Sequence, residues 1–286
     1  MITISITEKR AYFRSFKCEV LTSDPQNKEL IANFSSKKAN NTLEDYLKDE
    51  HQAWAEDSDG ETRVYLIKDE SGEIAFYFSI KCGLLIGENS TSKLPDDERE
   101  FVDIVVEAII SNNIEAKKAY YEDGSAVYAD HVDSLFEIAM SRAESKKDAA
   151  ATGQDAKWNV ERCVSAIELR HFCRNENYSV PDNLGVSLGF GLFWEQIVPL
   201  VLEITQRVGC KYLYLFAADN TEAADNPNLK TLVRYYKNTL KFYECDEDDL
   251  IIVKPAYDNF CYGLIQEIDK LGSNRENVWL EYADVL

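Results

Sequence analysis

The stretch between residues 163 and 218 limits the fold more than any other. A strand-like run, Cys163 to Cys173, leads through a polar loop, Arg174 to Asn183, into Gly185-Val-Ser-Leu-Gly-Phe-Gly191. Helical spacing of Phe193, Ile197, Leu200, Val201 and Ile204 follows, and a second strand-like run spans Lys211 to Ala218. Strand, glycine turn, helix and strand in this order form a crossover unit, which requires two parallel strands in one sheet. Pro199 lies inside the predicted helix Leu192–Ile204, where it removes a backbone donor and bends the axis. Gly209 is placed to end that helix.

The flanking segments add to the same sheet. Leu43, Tyr46, Leu47 and Trp54 share one face of a predicted helix over 42–55, with Thr42 as its cap. Arg63–Lys68 and Ile74–Ile80 are β-rich runs around the turn Asp69-Glu-Ser-Gly-Glu73, a hairpin. After Ala218 the pattern gives a helix from Leu229 to Leu240, a strand Leu250–Lys254 and a last strand at Cys261–Ile265. Residues 88–160 differ: Phe101, Ile104, Val105, Ala108 and Ile109, then Val132, Leu135, Phe136 and Ala139, recur at helical spacing. From 144 to 157 the composition turns to that of an exposed linker. The expected fold class is α/β (α+β): a mixed central sheet flanked by helices, with a helical insertion at about 88–160 between strands 3 and 4. The 286 residues are read as one domain carrying that insertion.

A formal charge of −20 speaks against a surface that follows DNA or RNA phosphates, which needs lysine and arginine to displace counterions. It suits cationic ligands, such as a polyamine or a lysine-rich tail, and equally suits a charge that only keeps the protein soluble. Seven cysteines without CxxC spacing give no zinc or disulfide framework, so no metal is expected. The charged start MITISITEKRAYF does not resemble a signal peptide, and no apolar run reaches the roughly 18 residues of a membrane span. A cytoplasmic protein without membrane or DNA partners is expected.

Glycines between a strand and a helix suit an anion, because bare backbone amides meet the positive end of the helix dipole. Gly189 and Gly191 stand at such a turn. An isolated glycine pair is weak evidence, since it can simply permit the turn. GK[ST] and an intact GxGxxG are absent from the sequence, which excludes the common nucleotide-binding alternatives.

In AIELRHFC (166–173), LGFGLFW (188–194), YLYLFAADN (212–220) and LVRYYKNTLKF (232–242) the chain resembles the GNAT superfamily of CoA-dependent N-acyltransferases. The last segment is similar to that family's FYEKxGF signature, with one extra residue before Phe242. TLEDYL (42–47) and the hairpin strands resemble its early helix and its second and third strands. The resemblance implies a GNAT-like fold and acetyl-CoA as acyl donor. It places the backbone of His171, Phe172 and Cys173 along the pantetheine arm and the pyrophosphate on the amides of Leu188, Gly189, Phe190, Gly191 and Leu192. Asn220 falls at a pantetheine contact, and Tyr236 at the tyrosine that protonates the departing thiolate. The family loop opens with Gln or Arg where Val186 stands, which leaves binding to the amides, with Arg174 or Lys211 as nearby cations.

The chemistry needs a base for the amine proton and an acid for the thiolate. Glu168, on the strand facing the acetyl group, is the candidate base, with His171 second; Tyr236 is the candidate acid. The bland readings are a solvated glutamate, a packed histidine and a core tyrosine beside Tyr235. The expected activity is acetyl-CoA-dependent transfer to an amine, on a small molecule or peptide. Two alternatives remain: a degenerate GNAT fold serving as acyl-CoA sensor or interaction module, and a toxin-like enzyme acting on aminoacyl-tRNA. The insertion could cover the acceptor site or form an oligomer contact, as in a homodimer.

Overall fold

A computed structural model describes residues 4–36, 42–87, 94–129, 131–151, 163–218, 227–245, 250–252 and 261–283. The chain divides into two compact units, one of residues 1–85 and 164–286, the other of residues 86–163.

Among the described residues the first unit is built on an eight-stranded sheet of order β1-β2-β3-β4-β5-β8-β6, with β7 paired to β3. The strands are β1 (Lys17–Val20), β2 (Arg63–Lys68), β3 (Ile74–Gly87), β4 (Cys163–Arg174), β5 (Tyr212–Ala217), β6 (Tyr243–Glu244), β7 (Leu250–Ile251) and β8 (Tyr262–Glu267). β1, β2 and β3 pair antiparallel, β4 and β5 parallel, and β8 joins β5 and β6 antiparallel. The sheet is therefore mixed, as the crossover unit requires, and the β2–β3 hairpin lies where its turn chemistry places it. β3 runs beyond the expected Ile80 to Gly87, and β7 is two residues long.

Helices α1 (Ile6–Arg14), α7 (Leu188–Thr205), α8 (Pro227–Leu240) and α9 (Ile268–Ala283) supply the main core. It joins Phe13, Phe190, Phe193, Trp194 and Trp279 to Phe76, Phe78, Ile167, Leu169, Leu213 and Leu215 of the strands. α1 starts with a capping box, in which Ser5 and Glu8 satisfy each other's backbone amides. The opposite sheet face carries α2 (Thr42–Lys48), α3 (Ala55–Asp59) and the short turns between 21 and 33, which bury Tyr46, Leu47, Val64, Leu66 and Tyr77.

Several sequence expectations change here. The helix over 42–55 is broken at Asp49, whose backbone is extended and whose carboxylate accepts from the amide of His51; a π-helical turn, Glu50–Trp54, follows. Thr42 is inside α2 rather than its cap. α7 begins at Leu188, so Gly189 and Gly191 belong to its first turns and not to a loop. Its axis widens into a π turn at Phe193–Ile197 directly before Pro199, which accommodates a ring that would otherwise meet the carbonyl four residues back. α7 ends at Thr205 with Gln206 as its cap, so Gly209 lies beyond the helix end. α1 and α9 have no counterpart in the sequence expectations.

The second unit consists of α4 (Asp96–Ile110), α5 (Ile114–Val127) and α6 (Val132–Ala151). Val105, Val132, Leu135, Phe136 and Ala139 lie in its own core as their spacing indicates, but the face of α4 is turned: Val102 and Val106 are buried there while Ile104 is exposed. Helix α6 covers 144–151 of the expected linker, and residues 152–157 lie outside the described ones. Among the described residues the cysteines Cys18, Cys82, Cys163, Cys173, Cys210, Cys245 and Cys261 are not joined in disulfides.

Candidate active site

The site is organised by the way β4 leaves β5. Pairing holds at Ala166↔Tyr212, Ile167↔Leu213 and Glu168↔Tyr214 and goes no further. β5 then pairs through Leu215, Phe216 and Ala217 with β8, while β4 continues to Arg174. Beyond Glu168 the two parallel strands therefore part, opening a cleft within the sheet.

β4 also changes phase beside this cleft. Ile167 and Leu169 point into the main core and Glu168 to the other face, where it meets Tyr214. Arg170 and His171 both point to that other face: Arg170 reaches Glu56 and Thr62, and the His171 ring packs tilted against Tyr46, 4.0 Å between ring centres. Phe172 returns to the main core and Cys173 to the opposite cluster. Two successive residues on one face are the mark of a β-bulge, which bends a strand and re-aims its side chains.

Phe172 links β4 to α7 and α8. Its ring lies 6.2 Å from Phe193 and 6.4 Å from Tyr236, between ring centres, and a methyl group at Gly189 would sit 3.5 Å from it. The same methyl group would be 3.1 Å from the Tyr235 hydroxyl. Ser187 caps α7 by accepting from the amide of Phe190 and also bonds the Tyr235 hydroxyl. Burial pushes that hydroxyl up to about 12. Leu188, Gly189 and Phe190 thus bring the α7 N-terminus beside β4, where the first amides of a helix have no partner within the helix. Gly191 serves a different purpose: a methyl group there would lie 2.2 Å from the ring of Phe13, so its bareness admits α1. Leu192 is fully buried in the core.

Val186 is a core residue at 8% exposure. Of the two cations expected to replace a charge there, Lys211 is at the wrong end of the sheet. Its amide bonds the carbonyl of Ser165, seven residues and roughly 23 Å of strand from Phe172. Arg174 is exposed at the end of β4, 3.9 Å from Glu176. Lys9 of α1 is the cation at the turn, its Nζ 3.6 Å from the place a Gly185 side chain would take; Gly185 has φ +62. Nothing in the sequence marks Lys9, because α1 and this turn are far apart in the chain.

Tyr236 is buried among Phe172, Tyr235 and Phe242. Burial pushes its hydroxyl well above the ordinary value, and Tyr235 and Cys173 add to the shift, so it holds its proton at neutral pH. On the opposite face Glu168 accepts a hydrogen bond from the Tyr214 hydroxyl at 3.2 Å. Burial raises the Glu168 carboxyl, against the pull of Tyr214, Arg170 and Lys81. His171 is poorly suited to the part of base. Burial, helped by Arg170, lowers its imidazole to about 3, and Nδ1 lies 2.7 Å from Ser79 Oγ. Asn220 lies outside the described residues. Sequence reasoning missed Tyr214, Tyr235 and Lys9; strand alternation in YLYLFA, placed beside Glu168, could have exposed Tyr214.

Among the described residues one helix, Leu188–Thr205, is long and apolar enough to cross a membrane. Its apolar side chains instead fill the main core.

No protein family matches the chain, and no curated protein matches it. Among solved structures, the crystal structure of AtaTR bound with AcCoA aligns at TM-score 0.45 and 11% identity, over 91% of this chain and 98% of that chain. The crystal structure of a KacT point mutant aligns at TM-score 0.45 and 12% identity, over 91% and 99%. A bacterial toxin structure aligns at TM-score 0.46 and 10% identity, over 91% and 95%.

Proposed function

We propose that this chain is a GNAT-type, acetyl-CoA-dependent N-acetyltransferase that acylates an amine. The observation that carries the reading is the cleft between β4 and β5, with a carboxylate on one face of the sheet and a protonated tyrosine on the other. The residues present fit the donor. An edge of β4 released from its parallel neighbour can pair with an extended arm that bears amides, as pantetheine does. The α7 N-terminus favours phosphate oxygens, and Lys9, buried at 2% exposure beside Gly185, adds positive charge to the turn. Gly191 takes no part in that cradle, since its amide donates to the Ser187 carbonyl at 3.1 Å.

Acetyl-CoA supplies an activated thioester carbonyl. Glu168 takes one proton from the amine nitrogen as the N–C bond forms. Tyr236 gives one proton to the sulfur as the C–S bond breaks, and the two groups are reset by exchange with solvent. Placing base and acid on opposite faces lets the amine enter from the Glu168 side while the thiol departs on the Tyr236 side. A carboxyl raised by burial accepts a proton more readily than an ordinary one. The formal charge of −20 favours a cationic acceptor, and seven cysteines outside disulfides suit a reducing compartment such as the cytoplasm.

The test is the thermal shift of the purified protein with acetyl-CoA, CoA and ATP. A ligand at about a hundred times its Kd adds roughly 2.7 kcal/mol to the stability of the folded state. Shifts with acetyl-CoA and CoA but not ATP support the donor site. A CoA-release screen over polyamines, lysine-rich peptides and aminoacyl-tRNA then identifies the acceptor. No shift at millimolar acetyl-CoA overturns the enzyme reading.

A further inference from the structure

We infer that Tyr214 is a positioning residue for Glu168, held in place by the missing side chain of Gly83. The inference rests on the acyltransfer reading given above. Glu168 and Tyr214 are register partners at the last pair of β4 and β5, so the hydroxyl meets the carboxylate where the strands part. The contact is 3.2 Å from Tyr214 Oη to Glu168 Oε2. Few orientations of a carboxylate on a parting strand are otherwise fixed, because its neighbour strand no longer follows it.

Gly83 of β3 supplies the space. A methyl group built there would lie 2.3 Å from both Cε1 and the hydroxyl oxygen of Tyr214 and 2.6 Å from Cζ. The phenol head therefore lies flat over bare backbone, and any side chain at 83 would drive it off Glu168. The ring is rigid and its strand is paired on both sides, so the backbone cannot give way and the side chain must turn, taking the hydroxyl from Glu168. The charged groups facing Glu168 are Arg170 from its own strand and Lys81 from β3, with Tyr214 from β5. Arg170 is engaged by Glu56 at 2.7 Å and Lys81 acts on Glu168 through its charge alone, which leaves the Tyr214 hydrogen bond to direct the carboxylate. The arrangement keeps one oxygen on Tyr214 and leaves the other to receive a proton.

The test follows the Glu168 carboxyl by carbon NMR in protein labelled at the glutamate side-chain carboxyl, with Glu168→Gln assigning the signal. Loss of a hydrogen bond to the charged form makes the acid weaker. Tyr214→Phe is expected to raise the titration midpoint by about one unit, a tenfold change in the dissociation constant. Gly83→Ala, with the tyrosine still present, is expected to raise it similarly, and the double variant no further. The acid limb of the kcat/KM profile, with the amine found by CoA release, moves with the midpoint. An unchanged midpoint in Tyr214→Phe overturns the inference, whatever the activity does. Failure of the acetyl-CoA shift in the unaltered protein overturns the acyltransfer reading, while the midpoint is measured without donor or acceptor. A normal acetyl-CoA shift in Tyr214→Phe shows that fold and donor site survive the substitution.

Discussion

Replacing Gly191 by alanine separates a packing glycine from a phosphate-binding one. The new methyl carbon would lie 2.2 Å from two ring atoms of Phe13, where favourable carbon contact needs about 3.5–4.0 Å. Ring and helix must part by more than about 1 Å. Phe13 has no room to retreat: it is fully buried, with Tyr12 at 5.3 Å and Trp279 at 6.2 Å between ring centres. Overpacking of a dense core costs about 1–3 kcal/mol, and a displacement this large belongs at the upper end. Alanine recovers about 1 kcal/mol because it is the better helix former. The expected net loss is about 2 kcal/mol. With a urea slope near 3 kcal/mol/M, the unfolding midpoint drops by about 0.7 M. Gly209→Ala is the control, since nothing lies within 4 Å of its added methyl; it should be neutral or gain up to about 1 kcal/mol. An unchanged or raised midpoint in Gly191→Ala, at the same slope, refutes the packing role and returns Gly191 to the anion-binding turn.

Tyr236→Phe keeps the ring and removes the proton donor; kcat should fall about 10²-fold or more, with the acetyl-CoA thermal shift unchanged. Unfolding titrations between pH 3 and 7 should show stability falling as pH drops from about 6.5 toward 3. The buried His171 stays neutral there while the unfolded chain protonates, at a slope of about 1.4 kcal/mol per pH unit; His171→Gln should remove that slope. Glu195→Gln should destabilise by about 2–3 kcal/mol in urea. Its side chain is fully buried and neutralises Arg10 at 2.8 Å and Arg14 at 2.6 Å, together with Arg275. Burial pushes the Glu195 carboxyl up, but the three arginines outweigh that and hold it below the ordinary range. Its contribution is therefore complete above the ordinary carboxylate value and is lost as pH falls through the lowered one.

Local patterns made much of the sheet legible. The β2–β3 hairpin, β4, β5 and α8 follow from β-rich runs, helical spacing and turn residues that lie close together in the chain. The start of α7 is hidden because glycine reads as loop wherever its purpose is unknown. Gly189 and Gly191 are bare for Tyr235, Phe172 and Phe13, which come from other parts of the chain. Helix α9 buries Ile268, Leu271, Val278 and Trp279, a helical spacing present in the sequence itself. In the site, Glu168 and Tyr236 stood out by residue type and resemblance. Tyr214 needed the β4–β5 register, and Lys9 needed the packing of α1. The phase change at Arg170 and His171 is invisible to any reading that assumes strict alternation, which is why the side chain of His171 falls on the face away from Phe172.

The second unit has its own core, and the three other clusters of the chain draw on no described residue between 88 and 162. Its chain leaves from β3 and returns to β4, which are neighbours in the sheet. Bringing those strands together therefore closes a long loop during folding. Seen as chain entropy, closing some 75 residues instead of a four-residue turn costs about 2.6 kcal/mol more, from (3/2)RT ln n. Helices that form early inside that loop shorten its effective length before the sheet zips. A variant with residues 88–162 exchanged for a tight turn should fold faster, leaving the helical unit a passenger in the kinetics of its host.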